Sequence, residues 1–583
     1  MKLSDYVVKF LEKNGVEYAF GITGGAIIHI FDSLEKSNIN YICPQHEQAA
    51  AMAADAYHRI TGKLGVAIAT SGPGATNLLT GTCCSYFDSI PVLLITGQVP
   101  TSQLKNKSNS RQIGFQETDI VNTFKPTTKY AVMIKNPEDI RYELEKAVYL
   151  ATHGRKGPVL VDIPDDIQRA EINPENIKSF VPEEKKLDLE KLEIQINDSL
   201  KLIKESNRPV VILGAGVRDH FNEVKTFIEN LGFPVALTWA AMDLFPGDYY
   251  LSVRDFGVTA SRVGNYVVQN ADLIIALGTR LDTHEAGSNS SHFGREAKKI
   301  VVDLDNSELE KYQNMGMRTD VLINNDVIDF FNIINKKTIE KNNIQEWSNK
   351  IKTWKEKYPI CPKEYYNDLP INPYVFMDVL SKKSKEGDVI ITDAGCNVTW
   401  TMQSYIVRKN QTLFSAYNHS PMGYSLPAAI GAAFAANKQI ICIIGDGGIQ
   451  MNIQELATID KHKLPIKIFV MNNLGYGMIQ QTQEMWLDSC YAASDFDHGL
   501  ALPDLKKIAN AYNIPTESIN THEELEDKMK KILETPGPML IDVMINPKAR
   551  IFPKLAFGKP IEDSEPVLSR EEFNDNMVIK PLE

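Results

Sequence analysis

Little in this sequence could hold it together from outside a core. Its seven cysteines are odd in number and form no CxxC pair, which excludes a disulfide framework or a zinc ribbon and fits reduced thiols in a cytoplasm. Cys83 and Cys84 read as core fillers. No apolar run approaches the ~18–20 residues that span a bilayer, so stretches such as PVLLITG and QIICIIG read as buried parallel strands and no membrane association is expected. The opening MKLSDYVVKFLEKNGVEYAFG carries no signal-peptide core, and export is not expected. Basic residues are not in excess: the net charge is −12, without a basic stripe, so nucleic acid is not an expected partner. No repeat of solenoid period is present.

What is there is the composition of an ordinary globular protein, 43% hydrophobic and 23% charged over 583 residues, too long for a single core. The pattern is α/β throughout. Over 1–165, helix-period stretches alternate with strand-like runs such as GVEYAFGI, LGVAIATSG and GPVLVDIP, the sign of a parallel sheet. Residues 166–190 are charged and read as a linker. A second α/β unit with RPVVILGAG and ADLIIALGTRLD fills 191–335, charge-rich residues 336–370 form a connection, and a third unit with GDVIITDAG, QIICIIGDGG and PIKIFVMNN fills 371–546. The Pro-bearing tail, 547–583, reads as a surface-draping segment.

The sharpest local signal is Gly445-Asp446-Gly447-Gly448 after the strand QIICII, followed by Asn472-Asn473 after PIKIFVM, with 24 residues between Gly447 and Asn472. That interval holds one helix and one returning strand. A right-handed crossover would bring Asp446 and Asn473 to neighbouring strand ends, where open α/β sheets bind ligands. Taken singly, each motif is a tight turn. Together they supply hard oxygen donors for Mg²⁺ and glycines that let a phosphate approach backbone N–H groups.

GDGGIQMNIQELATIDKHKLPIKIFVMNN resembles the thiamine-diphosphate motif. FGITGGA, HEQAAAMAADAY, TSGPGATN, GFQETD, GPVLVDIPDD, ADLIIALGTRLD, DAGCN and MGYSLPAAIGAAFA extend the likeness, along nearly the whole chain, to the acetolactate synthase and oxidase branch of that superfamily. The resemblance implies three α/β domains with parallel sheets: pyrimidine-binding, central and diphosphate-binding. It implies that Asp446, Asn473 and the main-chain oxygen of Gly475 hold Mg²⁺. Cofactor contacts are implied for Gly25, Pro73, Asn77, Gly395, Cys396, Asn397, Met422, Gly445, Gly447, Gly448, Tyr476, Gly477 and Met478. Glu47 would hydrogen-bond N1′ of the aminopyrimidine, a role that favours a partly desolvated carboxyl group. Met422 would wedge the cofactor's two rings together, and Phe115 and Gln116 would line the pocket above C2. His46 reads as structural.

In such enzymes the cofactor lies between the first domain of one chain and the third of another, so a homodimer or homotetramer is implied. The substrate expected is a small 2-oxo acid, with pyruvate as donor. After loss of CO₂ the remaining fragment passes to an acceptor carbonyl, a second pyruvate or a larger keto compound such as a nucleotide-linked keto sugar. The alternatives are a decarboxylase or oxidase of the same superfamily, and a regulatory protein that has lost its chemistry. The middle domain carries Gly214-Ala215-Gly216, and has GTRLDTH where acetolactate synthases carry GxRFDDR. FAD there and an empty, vestigial domain are both compatible with this. Two departures bear on the acceptor. The family's Trp nine residues past the second Asn is Thr482 here, with Trp486 nearby, and the loop before GFQETD is basic, with Lys105, Lys107 and Arg111.

Overall fold

The computed structural model describes residues 1–105, 109–183, 187–556 and 558–582; Lys107 of the basic loop lies outside them. Three six-stranded sheets follow one another along the chain. The first comprises β1 (Tyr18–Gly21), β2 (Asn40–Ile42), β3 (Gly65–Ala69), β4 (Val92–Gln98), β5 (Tyr130–Met133) and β6 (Val159–Pro164). The second comprises β7 (Pro209–Leu213), β8 (Val235–Leu237), β9 (Ser252–Asp255), β10 (Leu273–Leu277), β11 (Lys298–Val302) and β12 (Val321–Ile323). The third comprises β13 (Val389–Thr392), β14 (Thr412–Phe414), β15 (Ile440–Gly445), β16 (Ile466–Asn472), β17 (Thr516–Ile519) and β18 (Met539–Met544).

All three sheets are parallel. Helices cover both faces of such a sheet, which is why the central strands are apolar without alternation; every residue of β4 and of β6 is buried. The first sheet runs β2-β1-β3-β4-β6-β5 and the third β14-β13-β15-β16-β18-β17, so the two share one topology. Its order reverses between the first and third strands of each sheet, a switch point that opens a crevice at the strands' carboxyl ends. The middle sheet, β12-β11-β10-β7-β8-β9, has the doubly wound order of dinucleotide-binding folds, with its switch point between β7 and β10.

The first and third domains meet through the Glu47–Thr61 and Ser425–Ala435 helices. Ala49 through Tyr57 are all buried, because this helix has the first sheet on one side and the third domain on the other. Small residues let the backbones touch. A β-carbon on Gly431 would lie 2.1 Å from the Ala53 carbonyl oxygen. Beside this contact, buried Asp55 accepts hydrogen bonds from Tyr424 Oη at 2.6 Å, Ser85 Oγ at 2.9 Å and Arg59 Nε at 2.7 Å. Arg59 also donates to Asp88 at 2.7 Å, and Asp88 takes the N–H groups of Tyr417 and Asn418. Burial opposes the Arg59 charge, and the two carboxylates outweigh it.

Within the charge-rich stretch read as a connection, the chain forms the helix Gln345–Lys357, which buries Trp347, Ile351 and Trp354 on the middle domain. The tail crosses to the same domain. Arg262 Nη1 donates to the Ser564 carbonyl, Asn265 Nδ2 to that of Ile561, and Gln269 Nε2 to the Glu562 carboxylate.

Gly431→Ala should lower the thermal midpoint, with a loss of ~1–3 kcal/mol typical of overpacking, because the added carbon meets backbone rather than a side chain that could turn away. An unchanged midpoint would contradict this account of the helix contact.

Candidate functional site

The sequence-predicted residues gather at the switch points of the first and third sheets, as two separate clusters. In the first, Glu47 opens its helix directly after β2 and is half-buried. Its Oε2 accepts from Asn77 Nδ2 at 3.0 Å. A β-carbon on Gly74 would sit 3.3 Å from Oε1, so the glycine keeps the Pro73–Asn77 turn close beneath the carboxylate. Gly72, at φ +60°, faces Gln116, whose Cβ would be 2.9 Å from a β-carbon placed there. Gln116 is itself at φ +65°. The turn beginning at Gly25 lies alongside, with the Ala26 N–H reaching Thr70 Oγ1 at 3.3 Å and open space at Gly25.

Glu117, which follows Phe115 and Gln116 in GFQETD, faces inward. It is buried, and its carboxylate accepts the N–H groups of Lys105 at 2.5 Å and Ile113 at 2.8 Å. Pinned in this way, the loop turns Phe115 outward, 84% exposed. Beneath it Gln98 Nε2 binds both the Thr118 carbonyl and Asp162, whose carboxyl burial pushes up to about 7.

The second cluster joins the ends of β13, β15 and β16. Asp446 is 5% exposed; Oδ1 accepts from the Gly447 N–H at 2.7 Å and Oδ2 from the Gly475 N–H at 3.1 Å. Burial raises its carboxyl to about 6, against the pull of those backbone donors. Asn473 is buried, its Nδ2 2.6 Å from where a β-carbon of Gly477 would stand. The glycines here are a cradle: a β-carbon on Gly447 would lie 2.2 Å from the Tyr476 ring, and one on Gly448 2.3 Å from Asp393 Oδ2. The helix Cys396–Ser404 starts after Gly395, at φ +76°, without a side-chain cap, leaving first-turn N–H groups for an anion. Cys396 Sγ lies 3.4 Å from the β-carbon position of Gly477, and Asn397 Nδ2 3.0 Å from that of Gly445. Among the described residues the buried Asn397 Oδ1 finds no hydrogen-bond partner. Met478 follows in the Gly477–Trp486 helix, half-buried.

Met422 is brought to this cluster by its neighbour. Gly423, at φ +84°, has Met451 Cβ and the Gly448 carbonyl 2.7 and 3.0 Å from its β-carbon position. The fastening is Asp393, whose carboxylate accepts the N–H groups of Gly423 at 2.9 Å and Ser425 at 3.1 Å. Burial lifts Asp393 to about 6. Sequence reasoning quoted DAGCN without assigning its Asp a task, although an acid at a strand's end before glycine is a visible signal.

The donor set suits a cation that brings ligands of its own. Among the described residues no group of three or more His, Cys, Asp and Glu could hold a metal. One carboxylate, one amide and one carbonyl could hold a Mg²⁺ that would take its remaining ligands from phosphate and water. Among the described residues no hydrogen bond joins Glu47 or Gln116 to Asp446 or Asn473.

A cavity of about 490 Å³ lies at neither cluster. It lies at the switch point of the middle sheet and is lined by Gly214, Gly216, Trp239, Gly278, Arg155 and Tyr417, among others. The glycine backbones cross there, with the Gly278 oxygen 2.2 Å from the β-carbon position of Gly214. Arg155 is held by Asp305 at 2.7 Å and Glu308 at 2.6 Å, and burial pushes Glu285 to about 8.

Three family models match in succession: the N-terminal TPP binding domain of thiamine pyrophosphate enzymes over 1–123, the central domain over 196–329, and the C-terminal TPP binding domain over 393–543. The chain is 34% identical over 607 residues to a probable acetolactate synthase large subunit of Methanocaldococcus jannaschii, covering 100% of this chain and 99% of that one. It is 34% identical over 571 residues to the acetolactate synthase large subunit of Cyanidium caldarium, covering 95% and 94%. With the chloroplastic acetolactate synthase 2 of Nicotiana tabacum the identity is 33% over 577 residues, covering 96% and 85%.

Asp393→Ala should cost ~1–3 kcal/mol by leaving two buried N–H groups without an acceptor, and should weaken thiamine diphosphate binding by releasing Met422. Thermal unfolding and calorimetric titration check both; unchanged values for the pair would remove Asp393 from the site.

Proposed function

We propose, because this chain belongs to the thiamine pyrophosphate enzymes of the acetolactate synthase type, that it decarboxylates pyruvate and passes the remaining two-carbon fragment to the carbonyl of an acceptor bulkier or more polar than 2-oxobutyrate. The observation that carries the reading is the preserved pair of clusters, Glu47 with Asn77 and Gln116 in one, Asp446 with Asn473 and Gly475 in the other.

When bound, thiamine diphosphate would supply the nucleophilic C2 and the electron sink for loss of CO₂. Asp446, the Asn473 amide and the Gly475 carbonyl would hold Mg²⁺ against the diphosphate, and the first turn of Cys396–Ser404 would offer N–H groups to the phosphate oxygens. Glu47 would hold the proton at N1′, with Asn77 orienting its carboxylate. Gln116 would donate to the substrate's carboxylate or developing oxyanion. Met422 would support the two rings from below.

A homodimer is the smallest unit in which each Glu47 cluster meets a metal cluster. In the single chain, Phe115 and Ile113 beside one cluster, and Met451, Leu474, Ile479 and Phe496 along the other, are exposed apolar side chains, the kind of surface that a partner covers. A dimer of dimers is the larger form. Among the described residues no helix is long and apolar enough to cross a membrane, and we place the enzyme in the cytoplasm. FAD is the ligand proposed for the middle cavity, on the glycine crossing at its switch point; flavin absorbance released on denaturing the purified protein tests it.

The acceptor side rests on Thr482. Its hydroxyl donates back to the Met478 carbonyl at 3.0 Å, so what it presents is a methyl group where the family's indole would stand. Trp486, at the end of the same helix, is 61% exposed. Loss of the indole removes apolar grip on an ethyl group, a contact worth only ~1–3 kcal/mol per methylene even when well packed.

Purified enzyme given pyruvate, thiamine diphosphate and Mg²⁺, with 2-oxobutyrate in competition, should form carboligation products with little preference for acetohydroxybutyrate. Strong preference for that product would return the chain to ordinary acetohydroxyacid synthesis. Acetaldehyde or acetate alone would favour the decarboxylase or oxidase reading.

A further inference from the structure

Glu455 belongs to the third domain, but its carboxylate reaches backbone N–H groups of the first. It closes the short turn Ile453–Glu455 and is fully buried. Its carboxylate accepts the Gln45 N–H on both oxygens, at 2.9 and 3.1 Å, and the His46 N–H at 3.1 Å. Thr458 Oγ1 donates to it at 2.8 Å. Gln45 and His46 are the two residues that precede Glu47.

The donors at this helix start are therefore shared out. His46 Nδ1 caps the Gln48 N–H at 3.0 Å, and Glu455 takes the two N–H groups ahead of it. A carboxylate at this position also faces the positive end of the Glu47–Thr61 helix. Asn452, in the same stretch, accepts from Gln48 Nε2 at 3.4 Å and donates from Nδ2 to the Gly423 carbonyl at 2.9 Å, next to Met422. One short stretch of the third domain thus grips the approach to Glu47 and the approach to Met422. Burial pushes the Glu455 carboxyl up to about 7, against its hydrogen bonds to Gln45, Thr458 and His46. An acid costly to bury is placed where, among the described residues, its carboxylate reaches the backbone in front of Glu47 and the Thr458 hydroxyl.

We propose that Glu455 is a positioning residue for Glu47, fixing the strand-to-helix turn so that the Glu47 carboxyl group meets N1′ of the cofactor it serves. This rests on the reading of Glu47 given above. Among the described residues the Glu455 carboxylate makes no hydrogen bond to Asp446, Asn473 or Gly475, so its effect falls on proton movement rather than on cofactor retention.

The test uses full-length parent, E455Q, E455D and E47Q enzymes with thiamine diphosphate and Mg²⁺. Exchange of the C2 proton for deuterium is read by quenched NMR and cofactor affinity by calorimetry. In E455Q the amide nitrogen faces two N–H donors, so C2 exchange should slow by about tenfold or more, within the range of a misplaced acid–base group, while cofactor affinity stays near the parental value. E455D, which keeps a carboxylate but falls short by one methylene, should slow less, and it carries the test if E455Q does not fold. Parental exchange in both Glu455 variants, while E47Q has lost it, would overturn the positioning role alone. A fall in affinity that parallels the fall in exchange would also overturn it, as a general structural loss. Parental exchange in E47Q would instead overturn the reading of Glu47.

Discussion

Where the Glu47–Thr61 helix crosses Ser425–Ala435, backbone meets backbone, and no side chain larger than hydrogen fits at Gly431. Such a contact has almost no freedom to slide. It fixes the first sheet against the third to within the tolerance of packed atoms, and the segments that matter for chemistry leave directly from it. Glu47 is the first residue of one helix, and Met422 lies three residues before the other. The buried Asp55, Arg59 and Asp88 cluster sits beside the crossing and ties down the chain at 417–424. Charges this deep are tolerated because each is paired and hydrogen-bonded; removing one partner would leave the other stranded.

The two sheets held in this way have the same strand order, so their crevices are equivalent places in two similar folds. One crevice presents the Glu47 carboxylate with the Asn77 and Gln116 amides; the other presents a glycine cradle, a helix start and the oxygen donors of Asp446 and Asn473, which on the proposed reading would face a heterocycle and a diphosphate with its metal. The middle sheet, with a different order, has its cavity at its own switch point and takes part in neither. Topology sets the middle domain apart from the other two, and only the side chains at their crevices distinguish the first from the third.

Much of this was legible in the sequence. Parallel strands buried on both faces leave unbroken apolar runs, and QIICII and PIKIFVM stand out for that reason. The Asp446 and Asn473 motifs are local in sequence, so their spacing carries their geometry. Glu47 was different: a single Glu at a helix start is silent by itself, and only resemblance to a family gave it a task. Glu455 and the tie between Asp55 and Tyr424 are not legible because their partners lie far away along the chain, whereas Asp393 left a signal at its strand's end. Gln45 and Glu455 are separated by 410 positions, and no periodicity records such a bond. The Gln345–Lys357 helix was hidden for another reason. Its stripe of Trp347, Ile351 and Trp354 is only three residues wide within a strongly charged stretch, and composition outweighed pattern.

The central claim is that the site is completed by two copies, each giving Glu47 to one site and Asp446 to the other. Co-expression of an E47Q chain with a D446A chain tests this most directly. Each variant alone should be inactive. In a mixed dimer one of the two sites would carry both substitutions and the other neither, so random pairing should restore about a quarter of the parental carboligase activity, as expected for a two-fold symmetric assembly. A co-expressed preparation that forms mixed dimers yet stays as inactive as either variant would place both residues in one chain's own site and contradict the account.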